Sequence, residues 1–303
     1  MNKFFYILLV ISFLRTAEIR PQWNLVKGLP AAEFSCIYMF SDTLYAGSKN
    51  VVYISGDQGN SWLASNALPE DVDFISAILK TNDKIIVGTY AYGIFKSSNN
   101  GDSWSNFNNG LTGILDIEAL VQRGDSIYAG TIGSSIYTVH NGGNTWSPFS
   151  KEIPMNNAGT VYSLYNFNGR LITGSGINAY IYYNESGSIN WYETPFAEFN
   201  PLGTAMHAIV SKGNILYGTG SQGIYKSTNG GLNWEKFDPG IGYIEAGSLD
   251  LHNEDIIAML SKANRTYYFI CDNDINQWKQ YDYQTGVTTY NFIVSKDKIF
   301  AAS

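Results

Sequence analysis

"SGDQGNSW", residues 55–62, places two glycines, an acid and two serines ahead of a tryptophan. Taken alone, such a run could be a ligand loop or a tight turn. Its recurrence decides between them. The pattern returns as "SSNNGDSW" (97–104), "VHNGGNTW" (139–146) and "STNGGLNW" (227–234), and in weakened form as "NESGSINW" (184–191) and "CDNDINQW" (271–278). All seven tryptophans, Trp23, Trp62, Trp104, Trp146, Trp191, Trp234 and Trp278, fall in one series with gaps of 39 to 45 residues. A four-stranded propeller blade occupies about 40–45 residues.

Other segments repeat in the same register. Ahead of the octets lie "LYAGS" (44–48), "IIVGT" (85–89), "IYAGT" (127–131), "LITGS" (171–175) and "ILYGTG" (215–220). Each is preceded by an apolar strand-like run such as "FISAIL" or "VYSLY", and followed by another such as "VVYIS" or "GIFKS". One unit therefore reads as strand, strand, strand, octet turn and a short strand led by tryptophan. The inner strands are almost continuously apolar, as expected of strands covered on both faces.

The octet chemistry is that of a hairpin. Ser55, Ser97 and Ser227 open it with a hydroxyl. Asp57, or Asn99, Asn141 and Asn229 in its place, can fold back and accept backbone N–H groups in the turn. Gly59, Gly101, Gly143 and Gly231 suit a position with φ > 0. Trp62, Trp104, Trp146 and Trp234 then bury a large ring, worth several kcal/mol at about 25 cal/mol per Å². A calcium loop needs several converging carboxylates. Each octet offers at most two acids, so the octets are expected to be structural, with no metal and no cofactor.

These octets resemble the Asp-box, or bacterial neuraminidase repeat, of the sialidase-like and sortilin-like propellers. That family includes sialidases, xyloglucanase-type glycosidases, photosystem II assembly factors and many secreted bacterial propellers of no assigned activity. The resemblance spans residues 23–303 and implies an all-β propeller of four-stranded antiparallel blades. It says little about activity.

Counting repeats gives seven blades. "WNLVKGLP" (23–30) matches the segment after the octets, as in "WLASNALP" (62–69), so the chain enters on an outer strand. It ends on "YNFIVS" and "IFAAS", the first two strands of another unit. The closing blade is therefore expected to be shared by both termini and incomplete, lacking its third strand and octet. A truncated piece of a longer reading frame is the expected reason. Residues 1–17 read as a signal peptide, with Lys3 before the apolar run 4–14, which is too short for a transmembrane span of roughly 20 residues. Ala17 supplies a small residue before the cut, while Arg15 two positions earlier departs from the small residue usual there. Residues 18–303 form a single propeller domain, secreted, periplasmic or at the cell surface.

The formal charge is −7 and the pI about 5.0, with no basic run. That argues against nucleic acid and against anionic membranes as partners. Membrane insertion is not expected beyond the leader. Cys36 and Cys271 both sit in apolar strand-like runs and are expected as unpaired buried thiols.

A sialidase-like site would need an arginine triad, a tyrosine–glutamate nucleophile and an aspartate acid. Arg123 and Arg170 lie in turns on the octet side, and no Phe-Arg-Ile-Pro segment exists. The clamp for a carboxylate cannot be assembled. The acids Glu70, Asp71, Asp73, Asp116, Glu118 and Glu198 belong to the opposite side, but their spacing singles out no pair for glycosidic chemistry. Aromatics there are more specific. "TYAYG" (89–93) supplies Tyr90 and Tyr92, and the long connection 192–206 supplies Phe196 and Phe199. They are expected to form a binding surface for a protein or carbohydrate ligand. The chain is thus expected to be a monomeric, non-catalytic interaction module; the alternative is a carbohydrate-active hydrolase with an unidentified carboxylate pair.

Overall fold

The computed structural model describes residues 9–12, 24–30, 32–113, 115–133, 136–140, 142–149, 160–175, 181–194, 206–220, 223–237, 240, 246–252, 255–263, 265–272, 277–285, 291–295 and 298–302. They form an all-β propeller of four-stranded antiparallel blades. In the first blade the strands are Cys36–Phe40, Thr43–Ser48, Val51–Ser55 and Leu63–Ala64, paired in sequence order. The next five blades repeat this order from inner strands Ile75–Lys80, Ile117–Arg123, Val161–Phe167, Met206–Lys212 and Ala246–His252.

Six blades are contiguous in sequence, and the expected seventh, to be built from both termini, is not among them. The remaining four-stranded sheet is composite, in the order Asn24–Leu25, Leu9–Ser12, Lys298–Ala302, Asn291–Ser295. The position expected to be vacant is filled by Leu9–Ser12, which pairs antiparallel with the last strand from Leu9↔Ala301 to Ser12↔Lys298. The physical reason is edge pairing: a short apolar run of β-forming residues satisfies a strand that would otherwise expose its backbone donors and acceptors. Asn291–Ser295 packs between the first and sixth inner strands. Asn291 Oδ1 accepts from Ile37 N–H at 3.2 Å, and Asp250 Oδ2 accepts from Val294 N–H at 2.5 Å. The rest of the expected leader, and Trp23, lie outside the described residues.

The core lies between blades. Second strands are buried on both faces, as in Ile85–Thr89, where every residue is buried. The glycine of each "AGS"-type run makes room for the neighbour. A Cβ on Gly88 would meet Ile117 Cγ2 at 2.5 Å, and one on Gly130 would meet Val161 Cγ1 at 2.3 Å. Side-chain-free positions thus let the next inner strand approach closely. Outer strands of the first five blades are two exposed residues long, which leaves little edge for unwanted pairing. Cys36 and Cys271 are both buried thiols, and burial pushes Cys36 up to about 12.

The octets fold as hydrogen-bonded hairpins. Ser55 Oγ donates to Asp57 Oδ1 at 2.8 Å and accepts from Gly59 N–H at 2.8 Å; Asp57 also accepts from Ser61 N–H and Ser61 Oγ. Those bonds, led by the Ser61 hydroxyl, hold the Asp57 carboxyl down at about 2. Ser97–Asn99–Gly101–Ser103 and Ser227–Asn229–Gly231–Asn233 copy the arrangement. Trp146 and Trp234 are each 1% exposed, whereas Trp104 is only partly buried.

One glycine differs from expectation. Gly59, Gly101 and Gly231 have φ of 76°, 91° and 86°, but in the third octet the positive φ belongs to Gly142, at 104°, and not to Gly143. Val139 replaces the leading serine there, so no hydroxyl receives the Gly143 N–H; it bonds His140 O at 2.7 Å instead. Asn141 lies outside the described residues.

Candidate binding face

Strand order gives the propeller two unlike faces. The octets and the turns between first and second strands lie on one, the octet face. The links from each fourth strand to the next first strand, and the turns from second to third strands, lie on the other, the connector face.

On the octet face the arginines are consumed by blade-to-blade bonding. Arg123 donates to Asn184 Oδ1 at 2.8 Å and to Tyr128 Oη at 2.7 Å, and its guanidinium lies 4.7 Å from the Tyr128 ring centroid. Arg170 donates to Glu185 Oε1 and to Gly230 O of the next blade. Neither is available as a ligand clamp.

The connector face is organised by a bulge that recurs in four successive inner strands. Ladder pairing skips one residue between Ile75 and Ala77, Ile117 and Ala119, Val161 and Ser163, and Met206 and Ala208. Residues before the gap are wedged against the preceding blade, as Ile117 is on Gly88. The skipped residue is released from the ladder, and a bulge re-aims its side chain. Those residues are Ser76, Glu118, Tyr162 and His207. They share one structural position and no chemical type.

Tyr162 contacts His207, and Glu118 is tied to Tyr90 of the preceding blade. Tyr90, 39% exposed in the turn after Ile85–Thr89, donates its hydroxyl to Glu118 Oε1 at 2.7 Å. Its ring meets Phe74 edge to face, with centroids 5.2 Å apart. Asp116, just ahead of the third inner strand, accepts from Ala91 N–H at 2.5 Å. Burial raises the Glu118 carboxyl; the Tyr90 hydrogen bond opposes this and the Asp116 charge adds to it. Burial also raises Tyr90, with the Glu118 hydrogen bond, Glu118 and Asp116 charges and nearby Tyr162 contributing. Tyr162, also 39% exposed, lies 5.4 Å from the His207 ring. Desolvation lowers His207 to about 4, so its imidazole is neutral at physiological pH, and its Nε2 is buried with no hydrogen-bond partner. Beside Phe74 opens a cleft of about 230 Å³ lined by Glu33, Ser35, Lys49 and Asp73.

Of the four aromatics expected here, Tyr90 stands in the cluster. Tyr92 turns back against the core between the first two blades, and its carbonyl accepts from Asn108 Nδ2. Phe196 and Phe199 lie outside the described residues, as does Glu198. Tyr162 and His207 escape pattern reading because each follows the apolar residue that opens its strand. Only the strand register, which skips one residue at the same point of each ladder, brings out Ser76, Glu118, Tyr162 and His207 as one column. Among the described residues no group of three or more His, Cys, Asp or Glu could hold a metal ion.

No family model matches the chain, and no curated protein matches it. Solved structures do. YCF48 bound to a D1 peptide aligns with a TM-score of 0.65 at 13% identity, covering 100% of this chain and 96% of that one. The extracellular domain of a hybrid two-component-system protein from B. thetaiotaomicron gives 0.69 at 13% identity, covering 98% of this chain and 39% of that one. An ancestral GH74 enzyme gives 0.60 at 17% identity, covering 73% and 33%. At these identities the likeness is one of fold, and it is to β-propellers.

Proposed function

We propose that the protein is a secreted, non-catalytic binding module of the Asp-box type that engages a protein partner through its connector face, with residues 1–17 as a leader whose Leu9–Ser12 segment completes the closing, seventh blade only while the leader stays attached. The observation that carries the binding reading is the column of four bulged residues beside the exposed rings of Tyr90 and Tyr162. A repeat that changes residue type at a position released from the ladder keeps its scaffold while changing its surface. The YCF48 structure holds a peptide, and the B. thetaiotaomicron domain is extracellular; both are compatible with this reading. The carbohydrate alternative has weaker support. Glycoside hydrolysis needs carboxylates on opposite sides of the scissile bond, whereas Asp116 and Glu118 stem from one short stretch of chain. The test is to replace Tyr90 and Tyr162 together by serine. Loss of partner binding with an unchanged unfolding midpoint supports the proposal; retained binding removes it.

A further inference from the structure

We infer that the Tyr90–Glu118–Tyr162 cluster receives a cationic side chain, lysine or arginine, presented by the protein partner. This rests on the reading of the connector face as a binding surface. The Asp116 charge adds to burial in raising the Glu118 carboxyl, and among the described residues neither acid is ion-paired with a lysine or arginine. The ion pairs present, Lys84–Asp83 and Arg170–Glu185, belong to the octet side. Two carboxylates partly withdrawn from water without a counter-charge are held at a cost. A cation between them and the tyrosine rings removes that cost, and it also gains attraction from the negative faces of the rings.

The neighbours agree with a cation and not with an anion. His207 is neutral and contributes no positive charge, and the chain as a whole carries −7. A neutral sugar could stack on Tyr162, but it would leave the carboxylate repulsion in place. The cleft beside Phe74, with Glu33, Asp73 and Lys49, carries both signs and offers room for the polar residues flanking the cation in an extended peptide.

The experiment is selection of random displayed hexapeptides on the intact protein, followed by affinity measurement on Glu118→Gln and Tyr162→Ala. In Glu118→Gln the side-chain amide keeps an oxygen to accept the Tyr90 hydroxyl, so the fold is unaffected. The expected result is enrichment of lysine or arginine, with at least tenfold weaker binding to both variants. Peptides without a basic residue that still lose affinity on Tyr162→Ala would overturn the cation and leave the binding face standing. Peptides indifferent to both variants, or no enrichment at all, would overturn both.

Discussion

In the second and fifth blades, the Ser97 and Ser227 turns make the same three hydrogen bonds, at 2.8 to 3.0 Å. Across the molecule, on the connector face, the second, third, fourth and fifth blades place Ser76, Glu118, Tyr162 and His207 at one equivalent position. One repeat therefore makes two surfaces under different constraints. Octet residues close a turn and anchor a blade, so each must satisfy its own backbone groups. Bulged residues are free of the ladder and can differ without disturbing the sheet. With the binding role proposed for the connector face, the contrast is one of stability against recognition, and substitutions can break or sharpen it.

The largest effect is expected at a buried octet tryptophan. Trp234→Ala empties a fully buried ring site beside Ile172 and Leu216 and should cost about 3–5 kcal/mol, read from urea unfolding. A loss below about 1 kcal/mol would show that the ring is not the anchor. Next comes Asp250, which joins the sixth blade to the composite sheet. Burial raises its carboxyl to about 6 although two backbone N–H bonds oppose the shift. The folded chain therefore holds a proton that the unfolded chain, with a pKa near 3.9, has released. Stability should fall by about 3 kcal/mol as pH rises from about 4 to 6 and beyond. Asp250→Asn should flatten that part of the profile; an unchanged profile would place the titrating group elsewhere.

Ser97→Ala strands the buried Gly101 N–H and should cost about 1–2 kcal/mol. The smallest change belongs to the connector face: Tyr162→Ala should alter stability by less than about 0.5 kcal/mol. Its effect should appear in binding. Because Glu118 is raised and a bound cation favours the ionised form, basic-peptide affinity should rise with pH across the Glu118 titration. A flat pH profile would detach Glu118 from the ligand.

Much of the fold is legible in the sequence because the octet repeats its chemistry: Ser55, Asp57, Gly59 and Trp62 announce a turn, and their copies set the blade period. Two features are not legible there. The third octet moves its positive φ to Gly142 because one missing hydroxyl redirects one N–H, an effect that depends on three-dimensional bonding. Leu9–Ser12 has an apolar pattern that serves equally for a leader and for a strand inside a sheet, and only its pairing with Lys298–Ala302, at the far end of the chain, distinguishes them. N-terminal sequencing of the protein purified from its producing cells would separate those fates. For the proposed binding face, the sequence points to Tyr90 but hides Tyr162 and His207, since the bulge that releases them is a matter of strand register, with Val161 and Met206 packed on Gly130 and Gly174 of the preceding blade.

The most direct test of the separation is a thermal-shift measurement of Ser97→Ala and Tyr162→Ala, each with and without a selected basic peptide. Ser97→Ala should lower the unfolding temperature and keep the peptide-induced rise, while Tyr162→Ala should keep the temperature and lose the rise. The reverse pattern, with Ser97→Ala abolishing the peptide response and Tyr162→Ala leaving it intact, would contradict the division of the molecule into a stabilising face and a recognising one.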